Sequence, residues 1–386
     1  MLPLLFLVAA GTGPQPAAPL LMVHYMPWFQ AKPNHSAWGW HWTMNARNPD
    51  VKVHGTPEVA SHYHPLIGLY DSDDGAVLEY QAQLMKLAGI DGALVDWYGN
   101  VDCDDYLPNH VAASHFISVT GRAALKFGLV YEDRTVPNLI KHGKTTREGA
   151  IGAGNKLLQW VDRNWFSSPN YVRLGGKPVF LVFGPEYYKG NAWNGVFRGL
   201  KHAPSFFTLD SVQAPGAGTF GWPQPQGRTW AEKLEAYYER STSAPVQIAP
   251  AFPRFNDYYH VAGISASNGM IEDNGGRTYT RTLNRAMASK SPIIQLITWN
   301  DYGEGTVLEP TVEFGYRDLE ATQKFRREHI QPSFKFTAAD LRLPERLLQL
   351  RRASKGKPKD LDAISGLLFR GETREARALL LKLESR

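Results

Sequence analysis

Short apolar runs alternate with longer amphipathic stretches along most of the chain. The runs are rich in Val, Ile, Leu and Phe, as buried strands of a parallel sheet are, and the stretches between them repeat apolar residues with a helical period. Eight runs are predicted to be strands: 19–29, 90–99, 126–133, 177–185, 204–210, 218–223, 245–255 and 292–301. Four stretches are predicted to be helices: 76–89, 147–165, 229–241 and 277–290. This alternation is typical of an α/β protein built from βαβ units.

Eight strands of this kind favour a (β/α)8 TIM barrel over residues 20–332, with an active site at the carboxyl ends of the strands. A doubly wound open sheet gives a similar alternation. However, no G-x-G-x-x-G fingerprint follows the first run, so that alternative lacks its usual dinucleotide site. The stretch 30–75 is too long for an ordinary connection and is crowded with aromatic residues, His, Pro and Asp, which predicts a functional loop.

The two ends of the chain differ from this body. Residues 1–10, MLPLLFLVAA, are interpreted as a signal peptide, which indicates a secreted or periplasmic protein; the alternative is a frayed apolar terminus. Residues 337–386 are predicted to form a short basic helical extension, as a cap on the barrel or a small appended module, with a polyanion or membrane-surface contact as the alternative. No other stretch approaches the roughly 18 apolar residues of a transmembrane span.

Composition and charge argue against several classes of function. The chain has 386 residues, 43% hydrophobic and 20% charged, which is typical of a globular protein with a large core. The net charge of +5 comes from the tail, where 12 Lys and Arg face 7 Asp and Glu; the rest is balanced, which argues against nucleic-acid binding by the body. The single Cys103 excludes an intrachain disulfide, and its acidic neighbours disfavour a reactive thiol. Nothing in the composition indicates an oligomeric state.

The last predicted strand ends in the segment ITWNDYGEGTVLEP, residues 297–310. Asp301 and Glu304 stand at its mouth, but residues three apart on an extended strand face opposite sides, so they converge only if the chain turns between them. Gly303 and Gly305 permit that turn. Two carboxyl groups held over one bond are what glycosidic cleavage requires. In the alternative interpretation Asp301 caps a helix and Glu304 is a solvated loop charge.

Aromatic residues are concentrated at the same predicted rim. Flat rings pack against the apolar faces of sugars, so these residues indicate a carbohydrate ligand; the alternative is that they only pack the long loop onto the barrel. Seven of the eleven tryptophans lie at predicted strand ends or in the first long loop: Trp28, Trp38, Trp40, Trp42, Trp97, Trp222 and Trp299.

Histidines and further carboxylates add weaker signals. Six histidines precede residue 65, and the HYH at 62–64 could place two imidazoles on one face of a strand, as a zinc site can use. No H-E-x-x-H or cysteine pair accompanies them, so hydrogen bonding is the favoured role, and neither a metal nor an organic cofactor is predicted. The other rim carboxylates, which are candidate hydroxyl binders, are Asp96, Glu132, Asp133 and Asp257.

Two motifs resemble a known group of enzymes. The strand HYMPWF at 24–29, followed by WGWHW, is similar to the YYPWY-type first strand of glycoside hydrolase family 99, the endo-α-mannosidases. The segment TWNDYGEGTVLEP resembles the W-N-D-Y-G-E-S segment of family 71, the α-1,3-glucanases, although G-E-G-T followed by E-P is closer to family 99. Both families are barrels with catalytic carboxylates in this motif, so the resemblance places catalysis on Asp301 and Glu304.

The resemblance also implies roles. It makes Glu304 the general acid and Asp301 the general base, with the reverse assignment open. In family 99 the first residue of the pair is Glu, which is thought to deprotonate the sugar 2-hydroxyl and give net retention; here it is Asp301, as in family 71, which is regarded as inverting. The implied reaction is hydrolysis of an α-linked mannan or glucan. The side chains expected to line the sugar subsites are Tyr25, Trp28, Trp42, Trp97 and Tyr302, with Glu309 as a further neighbour.

Two other functions compete with this one. A glycosyltransferase similar to the WbsX-like proteins shares the aromatic first strand, but it would need a nucleotide-sugar or phosphate site, and the cations at the predicted strand ends are only Arg134 and Arg254. A non-catalytic carbohydrate-binding barrel would keep the tryptophans and could dispense with one of the two acids. This sequence retains both.

Overall fold

A computed structural model describes residues 18–226 and 229–385, in which eight parallel strands close into a barrel. Each strand pairs with the next along the chain, and the first pairs with the last. The strands are β1 Leu20–Tyr25, β2 Gly92–Trp97, β3 Lys126–Tyr131, β4 Lys177–Val182, β5 Ser205–Leu209, β6 Gly218–Phe220, β7 Val246–Ala251 and β8 Ile293–Leu296. The predicted TIM barrel and all eight of its strands are confirmed. The predicted signal peptide at 1–10 lies outside the described residues.

Most of the predicted runs extend past the true strands at their carboxyl ends. In the last run, 292–301, only Ile293–Leu296 are strand. The chain leaves the ladder at Thr298, whose N–H donates to the Thr306 carbonyl of the returning loop at 2.8 Å, whereas the Ile297 N–H still donates to the Ala251 carbonyl of β7. The surplus apolar residues are therefore rim loops, which are the part of the fold that carries the site.

Helices form the outer layer. They are α1 Trp40–Thr43, α2 Gly75–Ala88, α3 Tyr106–Arg122, α4 Val136–Lys141, α5 Ala150–Val161, α6 Ala192–Val196, α7 Trp230–Ser241, α8 Arg277–Ala288, α9 Arg317–His329, α10 Leu343–Arg352, α11 Pro358–Arg370 and α12 Thr373–Glu384. Helix α2 begins where the Asp74 carboxylate accepts the N–H groups of Ala76 and Val77, and it ends at Gly89, with φ of 83°. None of the described helices is long and apolar enough to cross a membrane.

Several helix predictions needed correction. The predicted helix 147–165 is α5 followed by a wider, π-helical turn at Asp162–Phe166. Helix α3 was missed because its buried side includes the polar residues Asn109 and Thr120, which blur the apolar period. No helix lies between β5 and β6, which a loop joins directly.

The barrel interior has an apolar layer below a polar one. Inward-facing apolar side chains of the strands form one buried cluster that includes Met22, Leu94, Val130, Leu181, Phe207, Phe220, Ile248 and Ile293. Two residues further along β1, β2 and β8, the next inward positions are His24, Asp96 and Gln295, all buried. The polar floor therefore lies toward the carboxyl ends of the strands.

Helices α10 and α11 lie against the barrel's outer layer, and α12 packs on these two helices. The Arg351 guanidinium donates to Glu79 of α2 at 3.0 Å, and the Ser365 hydroxyl donates to the same carboxylate at 2.9 Å. The Gln83 amide donates to the Ser365 hydroxyl at 3.0 Å. These bonds hold α10 and α11 against α2, on the side of the barrel wall away from its interior.

Candidate active site

Two adjoining cavities open at the carboxyl ends of the strands. The inner cavity, of about 350 Å³, includes among its lining Met26, Trp28, Asp96, Glu132, Trp222, Tyr259, Asp301 and Glu304. The outer cavity, of about 490 Å³, is lined by residues that include Asp104, Asp105, Tyr106 and Asn138. Trp40, His41, Tyr98, Glu132 and Arg134 line both. The two cavities therefore form one cleft, which is large enough for more than one sugar ring.

The turn predicted between the two acids is present. The Glu304 N–H donates to the Asp301 carboxylate at 2.9 Å, and the Gly305 N–H donates to the Asp301 carbonyl at the same distance. Gly305 has a φ of 68°, and a Cβ there would lie 2.7 Å from the Asn256 carbonyl oxygen, so this position requires glycine. The tight turn brings Asp301 and Glu304 into the same cavity.

Contacts from other strand ends fix this turn. The Asn300 side chain accepts the Met26 N–H and donates to the Met26 carbonyl, both at 2.9 Å, which ties the turn to the end of β1. Arg254 donates to the Val307 carbonyl at 2.6 Å and pairs with Asp318. Its side chain is 1% exposed, so Arg254 is a buried anchor of the turn and does not face the cavities.

The two acids differ in their electrostatic environment. Burial raises the pKa of Asp301 to about 6, although the Glu304 and Gly303 N–H groups oppose this by donating to its carboxylate. Burial and the neighbouring Asp301 raise the pKa of Glu304 well above its usual range, and the Trp222 N–H only partly offsets them. Asp301 therefore loses its proton first, and Glu304 keeps its own.

Two aromatic residues complete the surroundings of the pair. The Trp222 indole N–H donates to Glu304 Oε2 at 2.9 Å. Burial and the charges of Asp301 and Glu304 raise the pKa of Tyr259, which places this phenol beside both acids. Tyr259 was not among the predicted site residues; the only signal for it was its place in the aromatic, polar segment FNDYYH just after the seventh predicted strand.

A second pair of carboxyl groups lines the same cavity. Burial raises the pKa of Asp96 to about 8, and burial together with Asp96 raises that of Glu132 to about 8. The exposed Arg134 pairs with Glu132. Asp133 instead accepts the N–H groups of residues 186–188, and Asp257 accepts the Asn268 N–H at 2.9 Å. Of the four predicted rim carboxylates, Asp96 and Glu132 line the inner cavity, whereas Asp133 and Asp257 bind backbone.

The predicted tryptophans divide between cavity and wall. Trp28 lines the inner cavity and stacks on His41, with ring centroids 4.1 Å apart. Trp40 and Trp222 also line it. Trp38 instead donates to Asp50 at 2.9 Å within the long loop. The loop 30–75 therefore both reaches the cleft and packs its own tryptophans.

Tyr25 and Trp97 lie outside the cleft, contrary to the sequence prediction. Tyr25 stacks on Phe116 of α3 at 3.8 Å, and its hydroxyl donates to Gln81 of α2. Trp97 packs edge to face against Trp165, beside α5. Both follow an inward-facing residue on their strand, so the alternation of side chains turns them toward the helices.

Trp42, Tyr302 and Glu309 also lie outside the cleft. The Trp42 indole donates to the Tyr70 carbonyl at 2.9 Å. Glu309 is 2% exposed and accepts the hydroxyls of Tyr70 and Tyr302, at 2.8 and 3.0 Å, and the Gln81 amide at 2.9 Å. These bonds engage both oxygens of the carboxyl group with protein side chains, so Glu309 has the geometry of a structural residue.

The histidines of the HYH segment do not converge. His62 lies 3.3 Å from the Asp257 carbonyl, whereas His64 lies 2.9 Å from the Glu313 carboxylate. Within the described part of the chain, three side chains that could bind a metal ion come together only at Cys103, Asp104 and His142, of which Asp104 lines the outer cavity. Three side chains, two of them exposed, are fewer than the four ligands of a closed structural zinc site.

Comparisons with known proteins agree with this fold. No protein-family model matches the chain. It is 22% identical over 307 residues to the glycoprotein endo-α-1,2-mannosidase-like protein of Mus musculus, covering 75% of this chain and 66% of that protein. It is 22% identical over 341 residues to the glycoprotein endo-α-1,2-mannosidase of Rattus norvegicus, covering 79% and 72%. The chain thus spans about two thirds of the length of such relatives.

A solved structure of an endo-α-mannosidase also resembles this chain in fold. The GH99 endo-α-mannosidase of Bacteroides thetaiotaomicron superposes with a TM-score of 0.60 at 17% identity, covering 80% of this chain and 97% of that one. The chain is therefore similar in sequence to endo-α-1,2-mannosidase proteins and similar in fold to a family 99 enzyme, which is the resemblance that the first- and last-strand motifs predicted. The resemblance to family 71 receives no support from these relatives.

Proposed function

We propose that this protein is a glycoside hydrolase that cleaves an α-mannan-type glycan, with Glu304 as general acid and Asp301 as general base. The observation that carries the proposal is the unequal environment of two acids in one cavity. Asp301 accepts backbone N–H groups that favour its charged form, whereas Glu304 lies beside that charge and favours its neutral form. Environments that separate two pKa values in this way assign the acid and the base. The sugar class is taken from the endo-α-mannosidases to which the chain is similar.

Glu304 has the position and the proton of a general acid. Its raised pKa keeps the carboxyl group protonated at neutral pH, so it can protonate the leaving oxygen of the glycosidic bond. Trp222 holds one carboxyl oxygen, which leaves the other for the substrate. As the glycosidic bond breaks, positive charge develops at the sugar's anomeric carbon, and the charge on Asp301 stabilises it.

Asp301 must be unprotonated to act. It can remove a proton from an attacking water, which inverts the anomeric centre, or from the sugar 2-hydroxyl, which retains it through an anhydro sugar. The shorter aspartate side chain leaves more room than glutamate, which favours a water between it and the anomeric carbon. Anomeric NMR of the first product formed distinguishes the two routes.

The cleft gives little support to a nucleotide-sugar transferase. Among the described residues that line it, Arg134 is the only Lys or Arg, and it pairs with Glu132. A diphosphate would meet four carboxyl groups in the inner cavity. An uncharged glycan meets hydrogen-bonding groups and three tryptophans instead.

The assignment of roles can be tested with two leaving groups. Glu304→Gln should lower kcat/KM on an α-1,2-linked mannan by about 100- to 10,000-fold. It should lower the rate on α-mannosyl fluoride far less, because fluoride departs without a proton donor. Asp301→Asn should lower the rates on both substrates. Circular dichroism and melting temperature would show that both variants fold.

A matched control is Glu313→Gln, a rim carboxylate that binds His64 outside both cavities. We expect its rates on both substrates to match the wild type. Equal losses on mannan and fluoride for Glu304→Gln would refute the acid role. Absence of turnover by the wild type on α-mannans, with turnover on another α-glycan, would refute the sugar class alone.

A further inference from the structure

Asp96 is the last inward-facing residue of β2 and lies on the floor of the inner cavity. Its side chain is 1% exposed, and its Oδ2 lies 3.3 Å from His24 Nε2. Its Oδ1 is buried and has no hydrogen-bond partner among the described residues. A buried oxygen without a partner costs free energy comparable to a lost hydrogen bond. Since Asp96 lines the cavity, a ligand can supply the missing partner.

The other oxygen of Asp96 is held by a fixed network. Gln295 Nε2 lies 3.0 Å from His24 Nδ1, and because an amide nitrogen only donates, Nδ1 is the acceptor. The ring proton is then on Nε2, where it donates to Asp96. Burial lowers the pKa of His24 to about 3, in agreement with a neutral ring. Three strand ends, β1, β2 and β8, thus orient one carboxyl group.

The same network touches the proposed acid. Trp222 packs edge to face on His24, with centroids 4.9 Å apart, and its indole N–H donates to Glu304. Asp301 lies close enough to Asp96 that its charge raises the pKa of Asp96, after the larger effect of burial. Asp96 therefore lies in the same subsite as the acid pair.

We propose that Asp96 is a specificity-determining residue whose free Oδ1 forms a hydrogen bond with a hydroxyl of the sugar bound against Asp301 and Glu304. This inference rests on the proposed function for the identity of the ligand as a sugar. At neutral pH the raised pKa of Asp96 keeps it largely protonated. Because Oδ2 accepts from His24, the proton belongs on Oδ1, which then donates to the sugar oxygen.

A purely structural role makes a different prediction. If Asp96 only positioned His24, its replacement would lower the stability of the protein and would weaken the binding of all the sugars alike. If Oδ1 binds one hydroxyl, replacement removes discrimination at that hydroxyl and leaves the others unaffected. A comparison of variants with substrates that each lack one hydroxyl separates the two.

The experiment uses wild type, Asp96→Ala and Asp96→Asn, with Asp162→Asn as control. Asp162 is another buried aspartate, but it binds backbone and His202 on the outer helix layer, away from both cavities. The probes are α-1,2-mannobiose and its monodeoxy analogues on the non-reducing ring. Rates give kcat/KM, and calorimetry gives Kd without requiring turnover.

We expect Asp96→Ala to lower kcat/KM for mannobiose by about 10- to 100-fold, the size of one hydrogen bond to an ionisable group. One deoxy analogue should show the same loss in wild type and no further loss in Asp96→Ala. Asp96→Asn should recover most of the loss, because its amide can accept from His24 and donate to the sugar. The control should behave as wild type.

Two results would overturn the inference. One is an equal kcat/KM for mannobiose in Asp96→Ala and wild type. The other is that each deoxy analogue lowers kcat/KM, relative to mannobiose, by the same factor in Asp96→Ala as in wild type. Failure of the proposed function has a different signature, namely no turnover by wild type. In that case Kd decides: weaker mannobiose binding by Asp96→Ala than by the control supports Asp96 as a sugar ligand. Equal binding, or none, rejects it.

Discussion

The effect of burial on the pKa of a carboxyl group in this fold can be measured at Glu309. Burial raises its pKa to about 7 from an ordinary 4.5, against the bonds from Gln81, Tyr70 and Tyr302. Between these two pH values the folded protein holds a proton that the unfolded chain has released. The stabilisation from this group is therefore complete below about pH 4.5 and is lost as pH rises toward 7. A pKa difference of this size corresponds to about 3 kcal/mol of unfolding free energy.

Glu309→Gln removes the titration and leaves a side chain of similar shape. The unfolding free energy of wild type minus that of the variant should fall by about 3 kcal/mol between pH 4.5 and 7.5. The difference isolates Glu309, because the other buried acids titrate in both proteins. Guanidinium denaturation followed by tryptophan fluorescence at four pH values measures it. A difference that stays constant across this range would refute the reasoning.

Glu313→Gln is a control with the opposite sign. Partial burial raises the pKa of Glu313, but the hydrogen bonds from His64 outweigh it, and the net direction is downward. Its contribution to stability is present at neutral pH and is lost as pH falls, so its difference should grow with pH. Because Glu309 faces away from the cleft, Glu309→Gln should also leave KM unchanged. A raised KM would restore the sequence-based prediction that Glu309 is near the substrate.

Three further predictions concern the turn that carries Asp301 and Glu304. Below about pH 6, kcat/KM on an α-mannan should fall about tenfold per pH unit, because Asp301 becomes protonated; a flat acidic limb would contradict its role as base. Trp222→Phe removes the N–H that lowers the pKa of Glu304, so the alkaline limb of the rate should move to higher pH; a move to lower pH would be inconsistent with that bond. Gly305→Ala should cost about 1–3 kcal/mol of stability by urea denaturation. Gly303→Ala should cost less, because its φ is not positive and its Cβ would meet side chains at 3.1–3.3 Å, the nearest being the flexible end of Met44, and no backbone atom.

The fold could be predicted from sequence because barrel strands are buried on both faces. Such strands read as continuous apolar runs, so even the short β5 and β6 were found. The same continuity hid where each strand ends. The limit of β8 depends on loop hydrogen bonds, such as Thr298 to Thr306, that form only after the chain folds back. Local pattern carries no information about that return.

The site was partly predictable for a related reason. Asp301 and Glu304 could be identified because their glycines and their strand lie within one short segment. Tyr25 and Trp97 were misplaced because a continuous apolar run does not show which residues face inward, and one step along a strand reverses the face. Tyr259 was missed because it reaches the acids from a loop after another strand, across a contact that is distant in sequence.

Burial raises the pKa of the carboxyl groups in the inner cavity, and it also costs folding free energy. Asp96, Glu132, Asp301 and Glu304 all lie in one inner cavity, and burial is the first cause of the raised pKa in each. If only stability mattered, apolar side chains would fill this space at lower free energy. The barrel does not fill this region with apolar side chains. His24 and Gln295 occupy inward positions beneath the cavity, and only the next layer down is apolar. The barrel thus maintains a set of partly neutral acids at one end, and a neutral carboxyl group can give a hydrogen bond or a proton to a sugar oxygen, which a carboxylate cannot. Burial raises the pKa of these groups. It therefore lowers the stability of the protein as pH rises, and it also keeps carboxyl groups protonated so that they can donate to a sugar oxygen.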